Sequence, residues 1–153
     1  HLLIVGGGDK ENYYREIVSR LPFASAITIT GFLPKKQVNK IYGACDLTVI
    51  PSPIETQSLV LLESFASGTP VVAIKNSGAS EFVDPTVNGA IADLDLDDFS
   101  DKIISLVKNP HKAMAMGQNA RSKARLYTAR NQAKKLAEIY ESLIQNKENN
   151  FLK

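Results

Sequence analysis

A chain of 153 residues with 44% hydrophobic and 22% charged residues has the make-up of one soluble globular domain, which excludes a disordered chain. Its 18 basic and 16 acidic residues leave a formal charge of +2, too small for net charge to point to nucleic acid. No apolar run approaches the ~18 residues that span a bilayer, so a transmembrane protein is not expected. The single cysteine, Cys45, cannot close an internal disulfide, and a reducing cytoplasmic compartment is the default expectation. With only His1 and His111, a histidine-rich metal site is not expected either. The opening His1-Leu2-Leu3-Ile4-Val5-Gly6 has neither a Met nor the features of a secretory leader, and it reads as a piece cut from a longer protein.

Short apolar runs alternate with amphipathic patterns, each switch marked by Gly, Pro, Asn or Asp. Leu2 to Val5 reads as a buried strand stopped by Gly6-Gly7-Gly8, followed by a helix from about Lys10 to Arg20 with Tyr13, Tyr14, Ile17, Val18 and Leu21 on its apolar side. Ala26 to Thr30 is a second strand, ended by Gly31; Pro34 suits the first turn of a helix running to about Gly43. Asp46 to Ile50 is a third strand, followed by the loop Pro51 to Glu55 and a helix from about Gln57 to Ser67 that stops at Gly68. Pro70 to Ile74 is a fourth strand; a helical piece near Ala79 to Val83 and the turn Val87-Asn88-Gly89 lead to a small strand, Ala90 to Ala92. Three helices close the chain, roughly Asp97 to Lys108, Pro110 to Leu126 and Thr128 to Gln145. One domain is expected to fill residues 1–147, with 148–153 as a frayed tail.

Strands alternating with helices over short connections predict an α/β, Rossmann-like parallel sheet with helices on both faces. Ligands of such sheets bind beyond the C-terminal strand ends, which places Gly6 to Asp9, Gly31 to Leu33, Pro51 to Ser58 and Lys75 to Glu81 along one rim.

The most informative stretch runs from Pro51 to Val72. Glu55 lies in the loop before a helix whose free N–H groups and dipole favour an anion. Glu63 follows nearly two turns on, sharing a helix face with Leu59 and Val60, where a lone carboxylate is costly unless a partner takes its oxygens. From Ser58 to Glu63 the helix rises about 7–8 Å, roughly a ribose beyond a docked phosphate. One picture accommodates both glutamates: a nucleoside diphosphate on the backbone of Thr56, Gln57, Ser58, Leu59 and Val60, with Glu63 on the ribose and Glu55 on the group beyond the phosphates.

This stretch resembles the signature of retaining glycosyltransferases of family 4, which have the GT-B fold. The resemblance rests on Pro51-Ser52, on Glu55 and Glu63 with seven residues between them, and on Glu63-Ser64-Phe65-Ala66-Ser67-Gly68-Thr69-Pro70-Val71-Val72. Thr30-Gly31-Phe32-Leu33-Pro34, the early strand with Gly6-Gly7-Gly8-Asp9, and Asn88-Gly89 match further family segments in order, so the resemblance covers about Leu2 to Ala92. It implies the C-terminal, donor-binding half of a GT-B enzyme and a hexosyl- or related transferase. Glu55 would act on the donor sugar as the catalytic carboxylate, and Glu63 would hold the ribose. Gly31 and Phe32 would lie beside the base, and the amides at Leu59 and Val60 would approach the diphosphate. No cofactor and no metal are implied, the nucleotide sugar being a substrate. The acceptor, whether glycan, lipid or small molecule, would be bound by an N-terminal domain outside this chain, so the isolated chain is expected to be inactive.

Two features depart from the family pattern. Ser58 stands where Gly is usual, and the family's phosphate-binding Arg and Lys, which lie upstream of the opening strand, have no counterpart here.

Other features have simpler readings. Gly6-Gly7-Gly8-Asp9 lacks the third glycine of a dinucleotide fingerprint, since Glu11 stands in its place. The Asp-x-Asp pattern within Asp93 to Asp98 holds a metal in other glycosyltransferases, but here it is read as capping and charging the start of the following helix, which needs no metal to explain it. From Lys112 to Lys135 there are seven basic residues and no acidic one; a solvated helical surface accounts for them, and peripheral contact with an anionic membrane is the functional alternative. The rival to a transferase is a non-catalytic module that binds a nucleotide or a sugar.

Overall fold

The computed structural model describes residues 1–56 and 58–151, with side chains described as far as 147. It forms two compact units, His1–Ile41 and Tyr42–Lys153.

The first unit holds β1 (Leu2–Ile4), α1 (Glu11–Ser19) and, after a 3-10 turn, β2 (Ile27–Ile29); α2 (Lys35–Ala44) begins in it. β1 and β2 run parallel, with Leu2 opposite Ile27 and Ile4 opposite Ile29. The amphipathic face read on α1 is present but not buried: Tyr13, Tyr14 and Ile17 are exposed, and Val18 and Leu21 only half-buried. A helix laid on a two-stranded ladder has too little apolar surface beneath it to remove those side chains from water.

The second unit carries the core. β3 (Thr48–Ile50), β4 (Val71–Ile74) and β5 (Gly89–Ala92) form a parallel sheet in the order β3-β4-β5, with Val49 opposite Val72 and Val72 opposite Ala90. The central strand β4 is buried along its whole length, as a continuous Val-Val-Ala-Ile run requires.

Its side chains alternate between two layers. Val71 and Ala73 meet Leu61 and Phe65 of α3 (Leu59–Ser67) on one face. Val72 meets Leu106 of α4 (Leu96–Val107) on the other. Helix α5 (Pro110–Ala124) reaches both, giving Ala120 and Ala124 to the first layer and Met116 to the second. Burying Leu61 and Phe65 contributes about 1.5–3 kcal/mol each. These contacts hold α3, the helix of the two-glutamate motif, against the sheet.

Element boundaries fall within a residue or two of the sequence reading for most elements. The sheet does not: strands expected in one sheet pair as two ladders. Strand–helix alternation specifies parallel crossovers but not which strands are neighbours. The last helix, α6 (Ala129–Phe151), follows a short 3-10 turn and continues past Gln145 into the segment read as a tail. Residues 152 and 153 lie outside the described residues. Among the described residues, no helix is long and apolar enough to cross a membrane.

Candidate functional site

In the second unit, the loops after β3 and β4 leave the same, C-terminal edge of the sheet and meet. The Gly78 N–H donates to the Glu55 carbonyl at 2.7 Å. A Cβ on Gly78 would collide with the carbonyl oxygens of Glu55 and Thr56, so only glycine permits this approach. Glu55 is thereby fixed through its main chain while its side chain stays half-buried at the sheet edge. Before it, the Ser52 hydroxyl accepts from the Ile54 N–H at 3.3 Å, making a local turn inside the loop.

Ser58 ends the loop as the N-cap of α3, with φ −86° and ψ 95°. Its hydroxyl accepts from the Leu61 N–H at 3.3 Å, and its carbonyl accepts from the Leu62 N–H at 3.2 Å. Among the described residues, no acceptor takes the Leu59 and Val60 N–H groups at the mouth of the helix, beneath side chains that are themselves exposed. Two free amides and the positive end of a nine-residue helix make a local site of anion character. Gln57 lies outside the described residues.

Glu63 stands one turn into α3, half-buried. One neighbour of the Glu63 carboxylate is Tyr42, whose phenol is near enough to feel its charge and to hydrogen-bond with it. Burial, then the negative charge of Glu63, then that hydrogen bond raise the Tyr42 phenol above its usual value. Tyr42 was not singled out in the sequence: it sits near the end of a helix read only from its Pro34 start, and nothing local ties it to a residue 21 positions on.

In the first unit, the glycine turn after β1 lies beside the end of β2, with the Gly6 N–H donating to the Gly31 carbonyl at 3.1 Å. The Phe32 ring lies against Gly7, with most of its surface exposed. A concavity of about 310 Å³ opens there, lined by Val5, Gly6, Gly7, Glu11 and Tyr14 among others. Glu11 is held by Arg15 at 2.7 Å. The four predicted loops are thus brought together in pairs, one pair in each unit.

A concavity of about 430 Å³ in the second unit lies elsewhere, at the N-terminal end of β5. Its polar groups satisfy one another: Lys123 reaches Asp84 at 2.6 Å, and the Asn88 amide donates to the same carboxylate at 3.1 Å.

The aspartates before α4 act as caps. Asp95 accepts from the Asp97 and Asp98 N–H groups at 3.0 and 2.9 Å, and Asp98 accepts from the Asp93 N–H at 2.8 Å. That backbone bond, with Lys102 next in weight, holds the Asp98 carboxyl below its usual range. Among the described residues, no group of three or more His, Cys, Asp or Glu is arranged to hold a metal ion. Cys45 is half-buried, and burial raises its thiol, leaving less of the nucleophilic thiolate.

The chain matches the family model described as glycosyl transferases group 1 over residues 1–123. The D-inositol 3-phosphate glycosyltransferase of Corynebacterium urealyticum is 32% identical over 148 residues, which are 93% of this chain and 35% of that protein. Among solved structures, sucrose-phosphate synthase from Thermosynechococcus elongatus superposes with a TM-score of 0.84 at 25% identity, over 95% of this chain and 39% of that one. HepE of Anabaena, solved in complex with UDP, gives 0.80 at 25% identity, over 92% of this chain and 40% of that one. The chain spans about a third of the length of the first of these relatives.

Proposed function

The chain belongs to the glycosyl transferases group 1 family and has the Rossmann-like fold of a GT-B domain, and from that premise we propose that it binds a nucleoside-diphosphate sugar at the mouth of α3 for retaining transfer of the sugar to a hydroxyl acceptor. The observation that carries the reading is the bracketing of one open helix N-terminus by two glutamates: Glu55 in the loop before the free Leu59 and Val60 amides, Glu63 about a turn beyond them.

The diphosphate rests on those two amides, whose partial positive charge complements it at the phosphates and more so at the leaving diphosphate as the glycosidic bond breaks. Glu63 takes the ribose hydroxyls. Glu55, fixed through its main chain by Gly78, takes hydroxyls of the donor sugar and orients the reacting carbon. Thr56, Gln57 and Ser58 are assigned to the diphosphate, through their main chain, on the sequence reading alone. Gly31 and Phe32 are assigned to the base on sequence resemblance. The UDP-bound relative HepE supports uridine as the first base to test.

Calorimetric titration of the full-length protein with UDP, GDP, ADP and their hexose conjugates tests the reading. Glu63→Gln is expected to weaken the free diphosphate and the conjugate alike, by about 1.5–3 kcal/mol, since each contains the ribose. Glu55→Gln is expected to spare the diphosphate and weaken the conjugate. Equal losses for both ligands in Glu55→Gln would place the donor the other way round. The anomeric configuration of the product, followed by NMR, checks retention, and binding without any transfer would make the chain a nucleotide-binding module.

A further inference from the structure

Glu11, the first residue of α1, uses only half of its carboxylate inside the first unit. Its Oε1 accepts from the Arg15 guanidinium twice, at 3.0 Å from Nε and 2.7 Å from Nη2, whereas Oε2 takes no donor among the described residues. Oε2 is not sealed away either, because among the described residues no buried side-chain oxygen lacks a partner. The open oxygen stands against the turns that end the two strands. A Cβ on Gly7, after β1, would lie 2.6 Å from Oε2, and a Cβ on Gly31, after β2, would lie 3.5 Å from it. The same point above Gly7 is 3.0 Å from the Phe32 ring, which is 80% exposed.

A charged acceptor and an aromatic surface therefore flank one residue without a side chain, beside the concavity of about 310 Å³ that Gly7 and Glu11 line. The ion pair along α1 does not account for this arrangement. A part-exposed i,i+4 pair contributes little, and this one uses Oε1 alone. The dipole of α1 favours a carboxylate in the first turn, but it does not require Oε2 to face Gly7.

We propose that Glu11 is a base-selecting residue: its Oε2 accepts the ring N–H of a nucleobase lying on Phe32, and so favours uracil or guanine over adenine and cytosine. The inference rests on the donor reading above, which assigns Gly31 and Phe32 to the base. A base laid on an aromatic ring keeps its edge free for a hydrogen bond beside the ring. Uracil N3–H and guanine N1–H are each polarised by an adjacent carbonyl, and donation to a carboxylate makes the bond charge-assisted. Adenine and cytosine carry a bare acceptor nitrogen at the corresponding position, which a carboxylate repels.

The test is calorimetry on the full-length protein with UDP, GDP, ADP and CDP. The tighter of UDP and GDP is then compared with its N-methyl derivative, 3-methyluridine or 1-methylguanosine diphosphate. The readout is the ratio of dissociation constants, methylated over unmethylated. In the unaltered protein it is expected to be about tenfold or more, the scale of a hydrogen bond to a charged group. Glu11→Ala brings the ratio close to one without weakening the methylated ligand. Arg15→Ala, which breaks the same ion pair but keeps Oε2, lowers the ratio by less.

The methylated ligand also reports folding, since a variant that fails to fold loses both ligands. In that event Glu11→Gln, which keeps the shape of the side chain, takes its place and is expected to lower the ratio roughly threefold, as a neutral group replaces a charged one. Tightest binding of ADP or CDP overturns the proposal and leaves the donor reading standing. So does a ratio near one in the unaltered protein, a ratio unmoved in a folded Glu11 variant, or an equal fall in Glu11→Ala and Arg15→Ala. No binding by any of the four diphosphates overturns the donor reading itself, and this inference falls with it.

Discussion

Glu55 and Glu63 are eight residues apart and are held in opposite ways. Glu55 is placed by its backbone, through one amide of the neighbouring loop and a glycine that lets the two loops touch. Glu63 is placed by the helix under it, through the hydrogen bonds between Ser64 and Thr69 that close the end of α3 and through the buried face of α3. A loop fixed at one main-chain point can shift with its ligand. A helix pinned by a core cannot. In the proposed donor pose the rigid glutamate would serve the part common to every nucleoside diphosphate, and the adjustable one the part where sugars differ and bonds break.

The comparison breaks most severely where the helix loses its support. Phe65 is fully buried between α3 and the sheet, and Phe65→Ala is expected to cost about 3–5 kcal/mol of stability. Chemical denaturation followed by circular dichroism measures it. A loss below about 1 kcal/mol, well short of the usual cost of so large a cavity, would mean that α3 is not anchored by this layer.

The loop has its own weak point. Gly78→Ala drives a methyl group into the carbonyls of Glu55 and Thr56, an overpacking expected to cost about 1–3 kcal/mol. Its functional signature differs from that of Phe65→Ala. Affinity for the sugar conjugate is expected to fall further than affinity for the free nucleoside diphosphate, because Glu55 is displaced along with Thr56 and only the conjugate carries the group assigned to Glu55. Paired titrations would sharpen the contrast between loop and helix, and equal losses for both ligands would dissolve it.

A smaller effect belongs to the helix side alone. The folded-state value of the Tyr42 phenol is raised above its ordinary 10.0, so its contribution to stability is complete below that pH and is lost as pH rises through the folded value. Melting curves from about pH 8 to pH 11 are expected to fall more steeply for the unaltered protein than for Tyr42→Phe. Identical slopes would show that folding, by burial and by the charge of Glu63, does not raise the phenol.

How much of this was legible beforehand differs by element. The Val71 to Ile74 run and the stop at Gly68 announce themselves, because a doubly covered strand and a helix C-cap each leave a local composition. The two glutamates were legible for the same reason, as a spacing within one segment. Tyr42 and Gly78 were not. Each acts across a gap of about twenty residues, through an approach that only tertiary packing within the second unit creates. The split of the strands into two ladders escaped for a related reason: pairing partners are a tertiary choice, and three-residue strands such as β1 and β2 carry little information about theirs.

The smallest expected effect concerns Ser58, where the family usually has glycine. The residue is 3% exposed, and its hydroxyl is turned back onto its own helix to cap the Leu61 N–H. It therefore stands out of the way of the Leu59 and Val60 amides rather than between them and a phosphate. Its backbone lies at φ −86°, which any residue adopts, so glycine would bring no conformational relief. Ser58→Gly is accordingly expected to lower stability by only a few tenths of a kcal/mol, the cost of exchanging one good N-cap for a slightly poorer one. Affinity for a nucleoside diphosphate should change by less than about twofold, since a shift below half a kcal/mol is all that a slightly looser helix start would impose. The measurement is the same calorimetric titration, run beside a denaturation curve. A tenfold gain in affinity would mean that the serine obstructs the phosphates and that the open end of α3 is narrower than its free amides suggest. A tenfold loss would mean that the hydroxyl leaves its cap to bind the ligand directly, which would make the start of the helix, like the loop before it, a part of the site that moves.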